Sequence, residues 1–147
     1  MANPFNFSSG AVLTAAQLNA IGAGDDFTWS PSANWSGSFG TSYGMRVNDL
    51  VVLQFIFTLD ATPSGTFLIT AAPLTGFTTL SGVSGTGMAL DLSADNVYAI
   101  CPRTRDSGAN LDFTTNAHDD FATMTSTKPF TFASGDSIRT VMVYRAA

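Results

Sequence analysis

The chain has no glutamate, and it has one lysine (Lys128), one cysteine (Cys101) and one histidine (His118). Only 12% of its 147 residues are charged, roughly half the average of about 25%. Each scarcity excludes something. Glu and Lys are strong helix formers, while Asp, which supplies all eleven acidic groups, favours caps and turns, so a mainly helical protein is excluded. A lone cysteine forbids an intrachain disulfide and fits folding in a reducing compartment. The net charge is −5 with a pI near 4.3. Arg46, Arg103, Arg105, Arg139 and Arg145 are scattered, so no basic stripe offers itself to nucleic acid. No apolar run approaches the roughly 18–20 residues of a membrane helix. The longest, Leu50 to Leu59, is interrupted by Gln54 and Thr58. The opening Met1-Ala2-Asn3-Pro4 has neither the basic start nor the apolar stretch of a signal peptide, and synthesis and folding in a cytoplasm are expected.

What is present is hydrophobic and small. Hydrophobic residues make up 45% of the chain, and Ser, Thr, Gly, Asn and Ala stand where charges would be. A single domain is expected at this length, with enough core to fold without staples. Residues 1–24 read as an N-terminal arm and a short helix, residues 25–147 as the folded domain. In the arm, Phe5, Phe7 and Val12 alternate with polar or small residues, and two exposed Phe need a covering partner. Thr14 and Gln17 have capping-box spacing, Leu13 and Leu18 take the staple positions, and Gly22 supplies a stop. The helix would run from about Ala15 to Ile21, too short to stand undocked.

From Phe27 the pattern is strand and turn. Phe27-Thr28-Trp29-Ser30 alternates, Asn48-Asp49 reads as a tight hairpin turn, and the run Leu50 to Leu59 is the clearest strand. Val51, Leu53, Phe55, Phe57 and Leu59 share one of its faces; Leu50, Val52 and Ile56 share the other. A strand apolar on both faces is central and covered on both sides, the second cover being another element or another subunit. Further strands are expected at Thr66–Thr70, Phe77–Leu80, Gly87–Leu92, Asn96–Cys101, Leu111–Thr115, Phe121–Thr125, Pro129–Phe132 and Ser137–Arg145, the last entered through a turn at Ala133–Asp136. Short strands at 8–12-residue spacing indicate a β-sandwich or barrel.

Three segments resemble accessory virion proteins of tailed bacteriophages, the small modules of capsid decoration (cement) proteins and tail fibres. They are Phe7 to Ala20, similar to N-terminal attachment segments; Trp35 to Val51, an aromatic strand, a Tyr-Gly/Arg segment and a turn into a long apolar strand; and Phe132 to Arg145, similar to a terminal Ser-Gly-turn strand. The resemblance implies an antiparallel β-sandwich of jelly-roll type, a homotrimer and assembly on a virion. It makes the major capsid protein or another virion protein the expected partner. Phe5, Phe7, Leu13 and Leu18 are then the expected attachment residues, and Leu50, Val52 and Ile56 the expected subunit-packing residues. The lack of a fibrous shaft favours a capsid-surface module. A tail-fibre or receptor-binding tip is the alternative, stacking host saccharide on Trp29, Trp35 or Tyr43, although aromatics of this kind more often build cores and interfaces.

No catalytic machinery, metal site or cofactor is expected. His118 lies in a polar turn, and no Gly-x-Ser-x-Gly elbow marks a nucleophile. Asp25-Asp26 and Asp119-Asp120 lack the spaced ligands of a Ca²⁺ loop. Eleven Asp residues offer chance carboxylate pairs but no recognisable acid/base motif. Cys101, between Ile100 and Pro102, reads as a strand-end hydrophobe.

Overall fold

The computed structural model describes residues 25–27, 29–47, 50–69, 83–105, 110–115 and 122–145. These form eight β-strands: β1 (Asp25–Phe27), β2 (Gly37–Val47), β3 (Leu50–Leu59), β4 (Val83–Asp91), β5 (Asn96–Arg105), β6 (Asn110–Thr115), β7 (Ala122–Thr123) and β8 (Ser137–Arg145). All pair antiparallel in one sheet of order β1-β2-β3-β8-β4-β5-β6-β7. The chain is therefore all-β over the described residues, with no helix among them. The arm, the helix expected at 15–21 and the strand expected at Phe77–Leu80 lie outside the described residues.

β3 is where the alternation predicts it. Val51, Leu53, Phe55, Phe57 and Leu59 are buried, and β2 and β8 flank the strand. Val47 pairs with Leu50, so two residues separate the strands, as a tight hairpin requires. β8 runs the full length of β3, from Leu50 opposite Arg145 to Thr58 opposite Ser137.

The sheet rolls. β8, β4 and β5 separate β3 from β6, so in a flat sheet these strands would stand roughly 19 Å apart at about 4.8 Å per step. Yet the rings of Phe55 and Phe113 are 6.2 Å apart, edge to face. The roll is drawn together by residues 65–69. Ile69 and Leu111 exchange backbone hydrogen bonds of 2.9 and 3.0 Å, and Asn34 N–H donates to the Leu68 carbonyl. The Asn34 side-chain amide donates to the Thr66 carbonyl and accepts from Leu68 N–H, both at 2.8 Å. Ala33, four residues before β2, and Leu111, on β6, thus both bridge to Ile69.

Inside the roll lies an aromatic core. Trp35 packs on Phe67 and Phe132 at 4.9 and 5.2 Å, and Phe67 packs on Phe57 and Phe113 at 5.3 and 5.6 Å. Asp136, buried, ties the far end: its carboxylate accepts from Leu92 N–H at 2.9 Å and Ala133 N–H at 2.7 Å, and its carbonyl accepts from Leu59 N–H.

Several expectations are corrected. Over its described residues the strand expected at Thr66–Thr70 is replaced by isolated bridges, from Thr66 to Thr125 and from Ile69 to Ala33 and Leu111, because this segment serves three partners in turn rather than one ladder. Pro129–Phe132 is irregular; Phe130 and Phe132 stack on each other at 4.2 Å, and Phe132 is buried in the core. Trp29 lies outside β1 and packs edge-on against Phe55 at 5.8 Å. The Gly/Ser-rich start of β2 carries no strand signal of its own, yet it pairs with the end of β3. A β-carbon at Gly37 would overlap the Phe57 ring, so the small residue makes room for the core aromatic.

Candidate functional site

The strand parity that fills the core also defines the opposite, outer face. Register places Tyr43, Gln54, Val141 and Thr86 in one row across β2, β3, β8 and β4. The row on one side holds Met45, Val52, Val143 and Ser84; the row on the other holds Ile56, Arg139, Met88 and, on β5, Ala99. Leu50 is 48% exposed, Met88 43% and Val141 42%. Val97 is also exposed, and Val52 and Ile56 are half-buried. Tyr43, Gln54, Thr86 and Arg139 are exposed among them, so this convex face is mixed rather than continuously apolar. Near its centre Gln54, Ile56, Thr86, Met88, Arg139 and Val141 line a shallow depression of about 310 Å³.

Charge on this face is sparse. Arg139 is exposed in the middle of it. At the β1 margin the Tyr43 hydroxyl donates to the Asp26 carboxylate. That hydrogen bond, helped by some burial and the nearby negative charge, raises the Tyr43 pKa. At the β5 margin Asp112 is completely buried and held by Arg103. Arg103 Nη2 donates to Asp112 Oδ2 at 2.9 Å and to Thr123 Oγ1 at 2.6 Å, and the carboxylate holds the guanidinium pKa above its ordinary value. Both carboxylate oxygens are taken by Arg103, so this pair ties β5, β6 and β7 together. Single-residue reading missed it, although Arg103 and Asp112 sit on adjacent strands at facing positions.

The expected site residues separate as follows. Leu50, Val52 and Ile56 share the outer face of β3. Phe5, Phe7, Leu13 and Leu18 lie outside the described residues, as do His118, Asp119 and Asp120. The saccharide-stacking set is corrected. Trp29 and Trp35 are buried at 3% and 5% exposure, and Trp35 Nε1 donates to the Ser64 carbonyl at 3.0 Å, so neither indole has a face to offer a ligand. Of the three only Tyr43 is exposed. What put both tryptophans inside is closure of the roll, which no local pattern encodes. Cys101 is exposed on β5. Among the described residues no three His, Cys, Asp or Glu side chains gather as a metal set, and no helix is long and apolar enough to cross a membrane.

The arrangement presents apolar area with a few hydrogen-bonding groups, which is the chemistry of packing against another protein surface. No protein-family model, no curated protein and no solved structure matches the chain.

Proposed function

We propose that this chain is a virion structural protein, a decoration (cement) protein that binds the outside of a bacteriophage capsid and reinforces it by burying apolar surface. The observation that carries the reading is the outer face, where Leu50, Met88, Val97 and Val141 are exposed around a single central charge, Arg139. Covering its exposed apolar side chains contributes about 25 cal/mol per Å² of apolar surface buried, before ordering costs. Many copies on a shell multiply such contacts. The N-terminal arm, with Phe5, Phe7, Leu13 and Leu18, attaches the domain to the capsid, and copies of the chain pack on one another. A sandwich of jelly-roll type belongs to the same proposal. Its support is the order β8-β4-β5-β6, a Greek-key arrangement of the kind from which jelly rolls are built.

The test is decoration of phage heads by the purified full chain, read as copies per particle and as resistance of the head to heat. The wild type is expected to coat heads in many copies, and the Phe5→Ser/Phe7→Ser double variant to fold but bind poorly. Full occupancy by that variant removes the arm from the reading. Binding confined to a few copies at the tail replaces the cement role with an adaptor role.

A further inference from the structure

The geometry points to the depression on the outer face as the seat of an acidic side chain, an Asp or Glu carboxylate carried on the surface of the protein onto which this chain docks. This names the partner chemistry of the role proposed above and rests on that reading for the partner's identity.

Three polar side chains converge on the depression from two rows. Arg139, exposed on β8, has Ile56 of β3 and Met88 of β4 as its cross-strand neighbours. Two residues along β8, about 6.8 Å away at the rise of a strand, Val141 stands between Gln54 and Thr86. The recess between the rows holds about 310 Å³, with Ile56, Met88 and Val141 as its apolar wall. Among the described residues the chain supplies no counter-ion here: the ion pair is Arg103–Asp112, and none of the outward neighbours of Arg139 on β3, β4 or β8 is acidic.

That donor set suits a carboxylate. The guanidinium presents paired N–H groups that match its two oxygens, and the Gln54 amide and Thr86 hydroxyl add donors from the facing row. Magnitude decides what carries the carboxylate. A solvent-exposed ion pair shifts an equilibrium by about five-fold at most, so a free acid in this open recess is held weakly. A carboxylate on a protein surface brings its own cover, which removes water from the pair and buries the apolar wall with it. An arginine at the centre of such a covered contact is a common anchor. In a chain of net charge −5, this central cation also sets where an acidic group is accepted.

The first test needs no partner. N-acetylglutamic acid N-methylamide, a capped Glu side chain, is added at millimolar concentrations to the full chain, with capped Gln as its neutral twin. NMR signals of the Arg139 Nε–H and the Gln54 side-chain amide are expected to shift with capped Glu alone, and not in Arg139→Gln. No response to capped Glu, an equal response to capped Gln, or a response retained in Arg139→Gln overturns the site. Saturation at micromolar capped Glu overturns the need for a covering partner. The second test is binding to phage heads. Arg139→Gln is expected to weaken it by about 30-fold or more, the scale of a covered charge pair that loses one member. Lys128→Gln removes the same charge from the exposed Thr125–Lys128 turn and is expected to leave binding unchanged. A folded Arg139→Gln chain that coats heads like the wild type, or an equal loss in Lys128→Gln, overturns the proposal. So does self-association of the wild type that Arg139→Gln abolishes, because the acid would then come from a second copy. The two readings fail separately: a chain that binds capped Glu but coats no heads sinks the virion role alone, and one that coats heads whatever stands at Arg139 sinks the carboxylate seat alone.

Discussion

Phe55 and Phe113 meet edge to face at 6.2 Å from strands separated by three others in the hydrogen-bonded order. Their contact marks where the roll of the sheet becomes a core. Both rings are fully buried, so truncating either leaves a cavity that neighbouring strands cannot collapse into without unrolling. Phe113→Ala is expected to destabilise the fold by about 3–5 kcal/mol, measured by urea denaturation. The Phe55→Ala/Phe113→Ala double variant should cost less than the two singles together, because they share one contact. Strict additivity would show that the rings do not depend on each other.

The Arg103–Asp112 pair predicts an asymmetry. Arg103 has a side chain 46% exposed, while that of Asp112 is at 0%. Removing the arginine strands a buried carboxylate, expected to cost about 3–5 kcal/mol. Removing the carboxylate, in Asp112→Ala, leaves an arginine that turns to solvent, and the loss should be smaller. Equal losses, or a larger loss for Asp112→Ala, would contradict the burial assigned here.

Asp136 stitches the β4–β5 turn, the turn before β8 and the end of β3. Asp136→Ala orphans the N–H groups of Leu92 and Ala133, at about 1–3 kcal/mol for each one left unsatisfied. Amide exchange provides the local check: protection of Leu92 and Ala133 should fall before that of Phe55 or Ile138. Unchanged exchange at Leu92 would rule out the carboxylate as its acceptor.

Tyr144, on the inner side of β8, has its pKa pushed up to about 12, chiefly by burial, against a smaller lowering influence of Arg46. The neutral phenol is favoured in the folded chain. Its contribution is therefore fully present below the unfolded value near 10 and is lost as pH rises through about 12. Alkaline titration of stability should show a fall across that window, and Tyr144→Phe should flatten it. A Tyr144→Phe chain with the same alkaline slope would assign the fall to another group.

The sequence by itself determined the class of the fold and its strongest strands. Scarcity of Glu and Lys removed helix as the main element, and the apolar run from Leu50 to Leu59 marked a strand on which Val51, Leu53, Phe55, Phe57 and Leu59 share one face, because successive side chains of a pleated strand point to opposite sides. β8 was legible for the same reason, from Ser137 to Arg145. The start of β2 was less so, since Gly37, Ser38 and Gly40 carry no strand propensity; Gly37 is small because the Phe57 ring and the Thr58 carbonyl lie against it, a requirement imposed from across the sheet. The fate of the aromatics was likewise a tertiary decision. Trp29, Trp35 and Tyr43 look alike in sequence, but the bridges of Ile69 to Ala33 and Leu111 draw the roll together over the two tryptophans and leave Tyr43 outside. Local pattern assigns residues to faces; only closure of the sheet decides which face is inside and how much of the other stays open.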